Sequence, residues 1–278
     1  MTDIKFTVGQ RQRLLEIGAD PQLIDKDFET DAERNDDFDR LVKNLTRQNV
    51  VGLRDYLGSG KKHLTRIVED KLRGASLDLG FSEVTTPTMI PRISIERMGI
   101  SEKTALWRQI IWVDGKRCLR PMLAPNLYAV MDRLSVLEKP VKIFEVAPCF
   151  RKDTKGPLHL EEFTMFNIVE LAPKGDPKLK LKEITNSMME AIGLESFKVN
   201  IKESEVYGET LDVKVGEIEV ASAAIGPKPI DANWGINDPW VGIGFGVERL
   251  ALIVGRYRSV ANISRSLTYL NGSRMDVK

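Results

Sequence analysis

Residues 141–171 read VKIFEVAPCFRKDTKGPLHLEEFTMFNIVEL, a pattern that predicts two strands joined by a polar loop. The first strand, 141–151, ends on the cation Arg151. The loop, 152–157, carries Lys, Asp, Thr and Gly, residues that accept turn geometry. The second strand, 159–171, is rich in β-branched and aromatic residues, which suit a pleated surface. Strand side chains alternate between faces, so Glu161, Phe163, Met165, Asn167 and Val169 share one. A carboxylate and an amide are unfavourable among apolar groups, because burying an unmatched polar group costs about 2–7 kcal/mol. Two arrangements relieve this. Either the face is wet, as in an ordinary amphipathic hairpin, or a polar ligand lies on it.

Upstream, RPMLAPNLY at 120–128 leads into a helix with Pro125 near its start, where proline is tolerated. Ala124, Leu127, Tyr128 and Met131 recur at spacings that put them on one face. Such a stripe is either core packing or the wall of a pocket. Residues 101–120 predict a strand pair, 105–113 and 117–120, around the Asp114-Gly115 turn. Before that, a helix is predicted over 61–79, with the stripe Leu64, Ile67, Val68 and Leu72, closed by Gly80. A strand over 81–86 follows and stops at Pro87, which cannot donate to a ladder.

Downstream, a loop and peripheral helix, 179–192, end at Gly193. Tyr207 lies in the Gly-containing stretch VYGET. Strands 211–215 and 217–226 form a hairpin around Gly216. Glu219 and Ser222 differ in parity, so both can meet one ligand only if the strand bulges or bends. Residues 241–255, VGIGFGVERLALIVG, predict a strand, a glycine turn and a helix. Gly242, Gly244 and Gly246 lack the spacing and βαβ surroundings of a dinucleotide fingerprint. They do permit close approach of backbone to a ligand. Arg249 sits one turn into the helix. A buried arginine without a carboxylate partner is unfavourable, so an anionic ligand accounts for it better than packing.

The chain has 278 residues, 41 Lys or Arg, 40 Asp or Glu and a net charge of +1. That is long for one domain and short for two large ones, and it gives no global attraction to nucleic acid. The division expected is 1–60 as a helical N-terminal extension and 61–278 as the main domain. In the extension, Thr7 and Gln10 form a capping box and Gly18 closes the helix. A second helix is expected to begin near Asp36, carrying Phe38, Leu41, Val42 and Leu45 on one face. Between residues 41 and 75 stand eight Lys or Arg against three Asp or Glu. This block is a solvated helix face or a contact for phosphate backbone. No apolar run approaches the ~20 residues of a membrane span, and MTDIKFTVGQ is neither a signal nor a transit peptide. A cytoplasmic protein is expected. Cys118 and Cys149 stand alone, without the spacing of a zinc site or a disulfide framework.

An arginine ending a strand, a variable loop and a second strand resemble motif 2 of the class II aminoacyl-tRNA synthetases. The wording FRK…HLEEFTMFN, with RPMLAPNLY, VYGETLDV and GFGVERL, is similar to the pyrrolysyl-tRNA synthetase family within that class. Helix, strand and Pro87 then resemble motif 1, and the Val241 strand with Arg249 resembles motif 3. The resemblance implies an α+β fold, an antiparallel sheet flanked by helices. It implies ATP-dependent activation of pyrrolysine and its transfer to tRNA(Pyl), the tRNA that reads amber codons.

The resemblance also implies roles. Arg151 would meet the α-phosphate and the amino-acid carboxylate, and Arg249 a distal phosphate. Glu219 and Ser222 would hold Mg²⁺. Phe163 would stack on adenine with Glu161 near it, and Gly244 would let the nucleotide approach. Ala124, Leu127, Tyr128, Met131, Val169, Ala223 and Trp240 would form an apolar bay, and Asn167 would bind the substrate's amide. Tyr207 would close over the amino acid. His159 would make a phosphate or structural contact. A homodimer through motif 1 is implied. The family's additional N-terminal tRNA-binding domain has no counterpart before Lys61, so the chain resembles a short form. The basic block, Arg265, Arg274 and Lys278 are then candidates for tRNA contact. Other readings are a class II synthetase for an aromatic or other lysine-derived amino acid, a class II-like adenylate-forming ligase that does not use tRNA, and a non-catalytic paralogue.

Overall fold

The computed structural model describes residues 4–152 and 156–276. Lys278 and positions 153–155 of the polar loop lie outside the described residues. The chain divides into two compact units, one of residues 1–63 with 261–278, the other Leu64–Val260. The tail that the sequence joins to the main domain therefore belongs to the helical unit. Among the described residues no helix is long and apolar enough to cross a membrane.

The helical unit contains α1 (Val8–Glu16), α2 (Pro21–Ile24) and α3 (Asp31–Gly58). Thr7 and Gln10 form the expected capping box. Helix α3 begins five residues before the expected Asp36, because the Thr30 side chain accepts from the Glu33 N–H and caps it there. Phe6, Leu14, Ile17, Phe28, Leu41 and Leu45 make the unit's core. The tail adds a small hairpin of Tyr269–Leu270 with Ser273–Arg274. It is fastened by Asn49, whose Oδ1 accepts from the Arg274 N–H at 2.6 Å. Arg274, expected to be available for phosphate, instead binds Glu16 at 2.9 Å and Asp276.

The larger unit runs α4 (Leu64–Asp78), β1 (Ser82–Glu83), β2 (Met89–Pro91), α5 (Arg92–Arg97), α6 (Ala105–Gln109), β3 (Arg117–Leu119) and α7 (Ala124–Ser135). It continues β4 (Val141–Phe150), β5 (Glu162–Leu171), α8 (Pro177–Ile192), β6 (Lys198–Ser204), β7 (Gly208–Val215), β8 (Ile218–Gly226), β9 (Trp240–Gly246) and α9 (Val247–Val254). Seven strands form one sheet in the order β1-β4-β5-β9-β8-β7-β6. All neighbours are antiparallel except β1, which runs parallel to β4. Helices α4, α8 and α9 cover one face, where Phe144 stacks on Phe166 and Phe166 meets Phe245 edge to face. Helix α7 packs on the other face with Val169 and Trp240.

Three local expectations are corrected. Ala105–Gln109 is helix α6, not a strand; the expected hairpin around Asp114-Gly115 survives only in its distal part, where Trp112 bridges Cys118, and Arg117–Leu119 also pairs with Met89–Pro91. The strand over 81–86 shrinks to Ser82–Glu83. On α4 the buried stripe is Val68, Leu72 and Ser76, with Glu69 held by Arg66 and Arg73, while Ile67 is exposed. The segment through Pro87 is tied to β4 by a buried ion pair. Arg120 donates to Glu145 at 2.9 Å, to the Thr86 carbonyl at 3.1 Å and to the Pro148 carbonyl at 2.9 Å. Glu145 in turn accepts from the Thr86 N–H and hydroxyl. Both side chains are almost fully buried, so the pair is stable only because its remaining polar atoms are matched.

Candidate active site

A cleft of about 590 Å³ opens on the sheet face that carries α7. That is the size range of small-molecule sites. Its floor is β5, β8 and β9. Every singled-out residue from Ala124 to Arg249 lines it except Glu161. Glu161 is exposed, and its backbone carbonyl accepts from the Arg151 N–H at 2.9 Å.

Arg151 and Arg249 share this one cleft, although β4 ends at the first and α9 begins just before the second. Arg151 Nε donates to the Pro121 carbonyl at 2.9 Å, and its guanidinium lies 5.3 Å over the Phe163 ring. Burial holds Arg151 below the ordinary guanidinium value, and nearby Arg249 pushes the same way. Two like charges converging in a partly desolvated place favour an anion between them. Arg249 is steadied by β8: its Nη1 donates to the Glu219 carbonyl at 2.9 Å and lies 3.7 Å from the Glu219 carboxylate. The expectation that it lacks a carboxylate neighbour is thus corrected. Next to it, buried Glu248 accepts the Thr164 N–H through both oxygens, at 3.0 and 2.9 Å, and pins α9 to β5.

Strand β8 contains the bulge that the parity of Glu219 and Ser222 requires. Val213 pairs with Ala221 and Lys214 with Glu219, leaving Val220 as the extra residue. Ser222 opposes Asp212 and Glu219 opposes Lys214. Residues 212 and 214 share a face, so the bulge turns Glu219 and Ser222 to one side. There Ser222 Oγ donates to Asp212 at 2.9 Å, and the Lys202 ammonium bridges Asp212 at 3.1 Å and Glu219 at 3.0 Å. Its hydrogen bond to Glu219 heads the causes that raise the Lys202 pKa. Asp212 and Lys202 were not singled out from sequence. Asp212 had a signal, as an acid at the second position of the predicted 211–215 strand, opposite Ser222. Two carboxylates and a hydroxyl form an all-oxygen set of the kind that a hard divalent cation accepts.

The other end of the cleft is apolar. Leu127, Tyr128 and Met131 of α7 pack with Val169, Ala224 and Trp240 of the sheet, and Ala124 packs against them. The expectation for Ala223 is corrected: it pairs with Ile243, which pairs with Ile168, so its side chain turns to the opposite face. Its neighbour Ala224, paired with Gly242 beside Val169, takes the place in the wall. Asn167 stands between the two ends on β5. Its Oδ1 is buried without a hydrogen-bond partner among the described residues. It opposes Gly244 across the β5–β9 ladder. A Cβ at 244 would stand 3.0 Å from both amide atoms, so glycine leaves the carboxamide its room. Tyr207, on the β6–β7 turn, packs edge-on to Trp240 with ring centroids 5.8 Å apart. Glu205 in the same turn accepts from the N–H groups of Ala105 and Leu106 at 3.2 and 3.4 Å, linking the turn to the start of α6. His159 lies on the rim, and Gly156 is its near neighbour.

The family model for tRNA synthetases class II core domain (F) matches residues 48–270. An O-phosphoserine--tRNA(Cys) ligase of Methanoculleus marisnigri is 31% identical over 176 residues, 59% of this chain and 32% of that one. A phenylalanine--tRNA ligase alpha subunit of Methanocorpusculum labreanum is 27% identical over 147 residues, 50% of this chain and 30% of that one. The chain thus spans about a third of the length of the curated relatives it matches. Among solved structures, the pyrrolysyl-tRNA synthetase from Desulfitobacterium hafniense is 38% identical with a TM-score of 0.92, covering 100% of both chains. A second structure of that enzyme gives 38% identity and a TM-score of 0.90, over 99% of this chain and 96% of the other. Paired arginines across an antiparallel sheet, the matched core model and full-length likeness converge: the chain belongs to the class II aminoacyl-tRNA synthetases, in the pyrrolysyl-tRNA synthetase family.

Proposed function

We propose that the chain activates pyrrolysine with ATP and transfers it to tRNA(Pyl). The observation that carries this is a single cleft with two arginines at one end and an unmatched carboxamide beside an apolar hollow at the other. A carboxamide offers a donor and an acceptor, and a substrate side-chain amide matches both. Small Ala124 and Ala224 leave space for a bulky distal group.

The amino-acid carboxylate attacks the α-phosphorus of ATP, forming the aminoacyl-adenylate and releasing pyrophosphate. The 3′-terminal ribose hydroxyl of the tRNA then attacks the activated carbonyl and AMP leaves. The first step needs no protein nucleophile or base, because the attacking carboxylate is already ionised. It needs charge neutralisation and in-line placement. Arg151 serves the α-phosphate and the carboxylate, Arg249 a distal phosphate, and Phe163 offers a stacking face to adenine. Gly244 lets the nucleotide approach the floor. Glu219, Ser222 and Asp212 would hold Mg²⁺, which when bound neutralises phosphate charge. Lys202, which bridges the two acids, would yield that place. Glu161 acts through its backbone hold on Arg151. The helix–strand–proline segment through Pro87 would form a homodimer, checked by sedimentation at about twice the mass of one 31.3 kDa chain. The basic residues of α3 and α4 would contact tRNA in the cytoplasm.

ATP–pyrophosphate exchange with pyrrolysine, lysine and phenylalanine, followed by charging of tRNA(Pyl), tests the proposal. Exchange should be fastest with pyrrolysine. Faster exchange with phenylalanine or lysine, or exchange without tRNA charging, would overturn it.

A further inference from the structure

Asp231 lies outside the lining of the cleft, on a short 3₁₀ turn, Pro229–Trp234, and is only 2% exposed. Its Oδ1 accepts from the Tyr128 hydroxyl at 2.6 Å. Its Oδ2 accepts from the Trp240 indole at 2.7 Å and from the Lys228 N–H at 2.6 Å. The two side-chain donors are the facing aromatic walls of the apolar hollow, one on α7 and one on β9. Their rings meet edge to face with centroids 5.9 Å apart. Trp240 occupies space that a side chain at 226 would need: a Cβ on Gly226 would stand 1.9 Å from its indole nitrogen. Trp234, from the same turn as Asp231, stacks on Tyr128 at 5.5 Å. Tyr207 completes the group against Trp240.

Aromatic rings turn easily about χ2 unless something fixes them. Short bonds to a buried carboxylate are charge-assisted and directional. The off-axis indole bond fixes χ2 of Trp240, while the hydroxyl, which lies on the χ2 axis, anchors the tip of Tyr128, whose ring plane is held by the stack with Trp234. We propose that Asp231 is the positioning residue that sets the breadth of the amino-acid hollow. One carboxylate behind the wall locks Tyr128 against Trp240, and the site then selects substrates by the size of the group at the far end of the side chain. Asp231 touches no substrate. The proposal rests on the reading of this cleft as the site of a long, amide-bearing amino acid. Asparagine at 231 would keep a single acceptor oxygen for two side-chain donors, releasing one ring.

The test is pyrophosphate exchange with a series of Nε-acyl-lysines, from formyl to a bulky ring, on the wild type, Asp231→Asn, Tyr128→Phe and the double variant. The wild type should show a graded preference for the bulky members. Asp231→Asn should flatten that gradient in amino-acid KM by about five-fold or more, with KM for ATP changed by less than about two-fold. Tyr128→Phe should flatten it in the same sense, and the double variant should go no further than Asp231→Asn. A graded wild type whose gradient survives in Asp231→Asn overturns the proposal alone. A wild type with no preference along the series overturns the functional reading and the proposal with it. Equal rises in KM for ATP and for the amino acid also overturn it, since they mark a general loss of structure. Should Asp231→Asn not fold, Tyr128→Phe, which lacks one hydroxyl, decides: an unchanged gradient overturns the proposal.

Discussion

Asn167 is the residue whose chemistry is least explained by packing. Its buried Oδ1 has no partner among the described residues. Asn167→Ala should remove the match to the substrate amide and weaken amino-acid binding by roughly 1–3 kcal/mol, read as a raised amino-acid KM in pyrophosphate exchange. Wild-type kinetics would refute it. Arg151→Ala should lower exchange on the order of 10²–10³-fold while circular dichroism stays native, because a preorganised charge at the reacting phosphate is lost. Retained exchange in a folded variant would remove Arg151 from the chemistry. Both residues were legible in the sequence for a physical reason. An amide on an apolar strand face and a cation at a strand end each break a local rule, and such breaks mark sites. Asp231 was not legible. It sits in an ordinary polar turn, and its meaning comes from Tyr128, 103 positions away.

At the scale of elements, β4, β5, α7, α8 and α9 were legible because each is a long run of one type: the strands are rich in β-branched and aromatic residues and the helices bury a stripe over several turns. Legibility ended where a distant partner decides. The residues 105–109 become helical with their first N–H groups taken by Glu205, about a hundred positions downstream. No local pattern reveals that cap. The start of α3, by contrast, was present in the sequence as Thr30 followed three residues later by Glu33. The bulge in β8 was deduced from two residues that had to face one ligand, and it falls between them at Val220. The β5–β9 ladder supplies a further test. Gly244→Ala would put a methyl group 3.0 Å from the Asn167 amide. It should raise amino-acid KM by about ten-fold or more, through displacement of that carboxamide. A variant with unchanged amino-acid KM would show that the ladder has slack there.

Over the whole molecule, near-neutral charge and two lone cysteines excluded much but located nothing. The grouping of the tail with the N-terminal helices was invisible, since it depends on Asn49 and Glu16 meeting Arg274. The cysteines have a global effect. Burial pushes the Cys118 thiol up to about 11 and the Cys149 thiol up to about 12. Each folded value lies above the unfolded one, near 9. The stabilisation from a neutral thiol is therefore complete below about pH 8.5 and is lost as pH rises through the folded values. Between about pH 9 and 11 the unfolding free energy should fall by up to about 1.4 kcal/mol per pH unit for each thiol. The fall in unfolding free energy from urea melts across that window should be about half as steep in Cys149→Ala, with Cys118 supplying the remainder. An equally steep fall in that variant would assign the loss to other groups.

The tie between Glu205 and the first amides of α6 joins two segments that line the cleft, the turn that carries Tyr207 and the start of α6. It consists of two long bonds on an exposed carboxylate, whereas Tyr207 itself is packed against Trp240. The tie is thus weaker than the ring packing beside it. Glu205→Gln should quicken association of the amino acid in stopped-flow fluorescence and quicken release to the same degree, leaving the dissociation constant alone. Residence time would then be a quantity the enzyme tunes at the doorway, independently of what it admits.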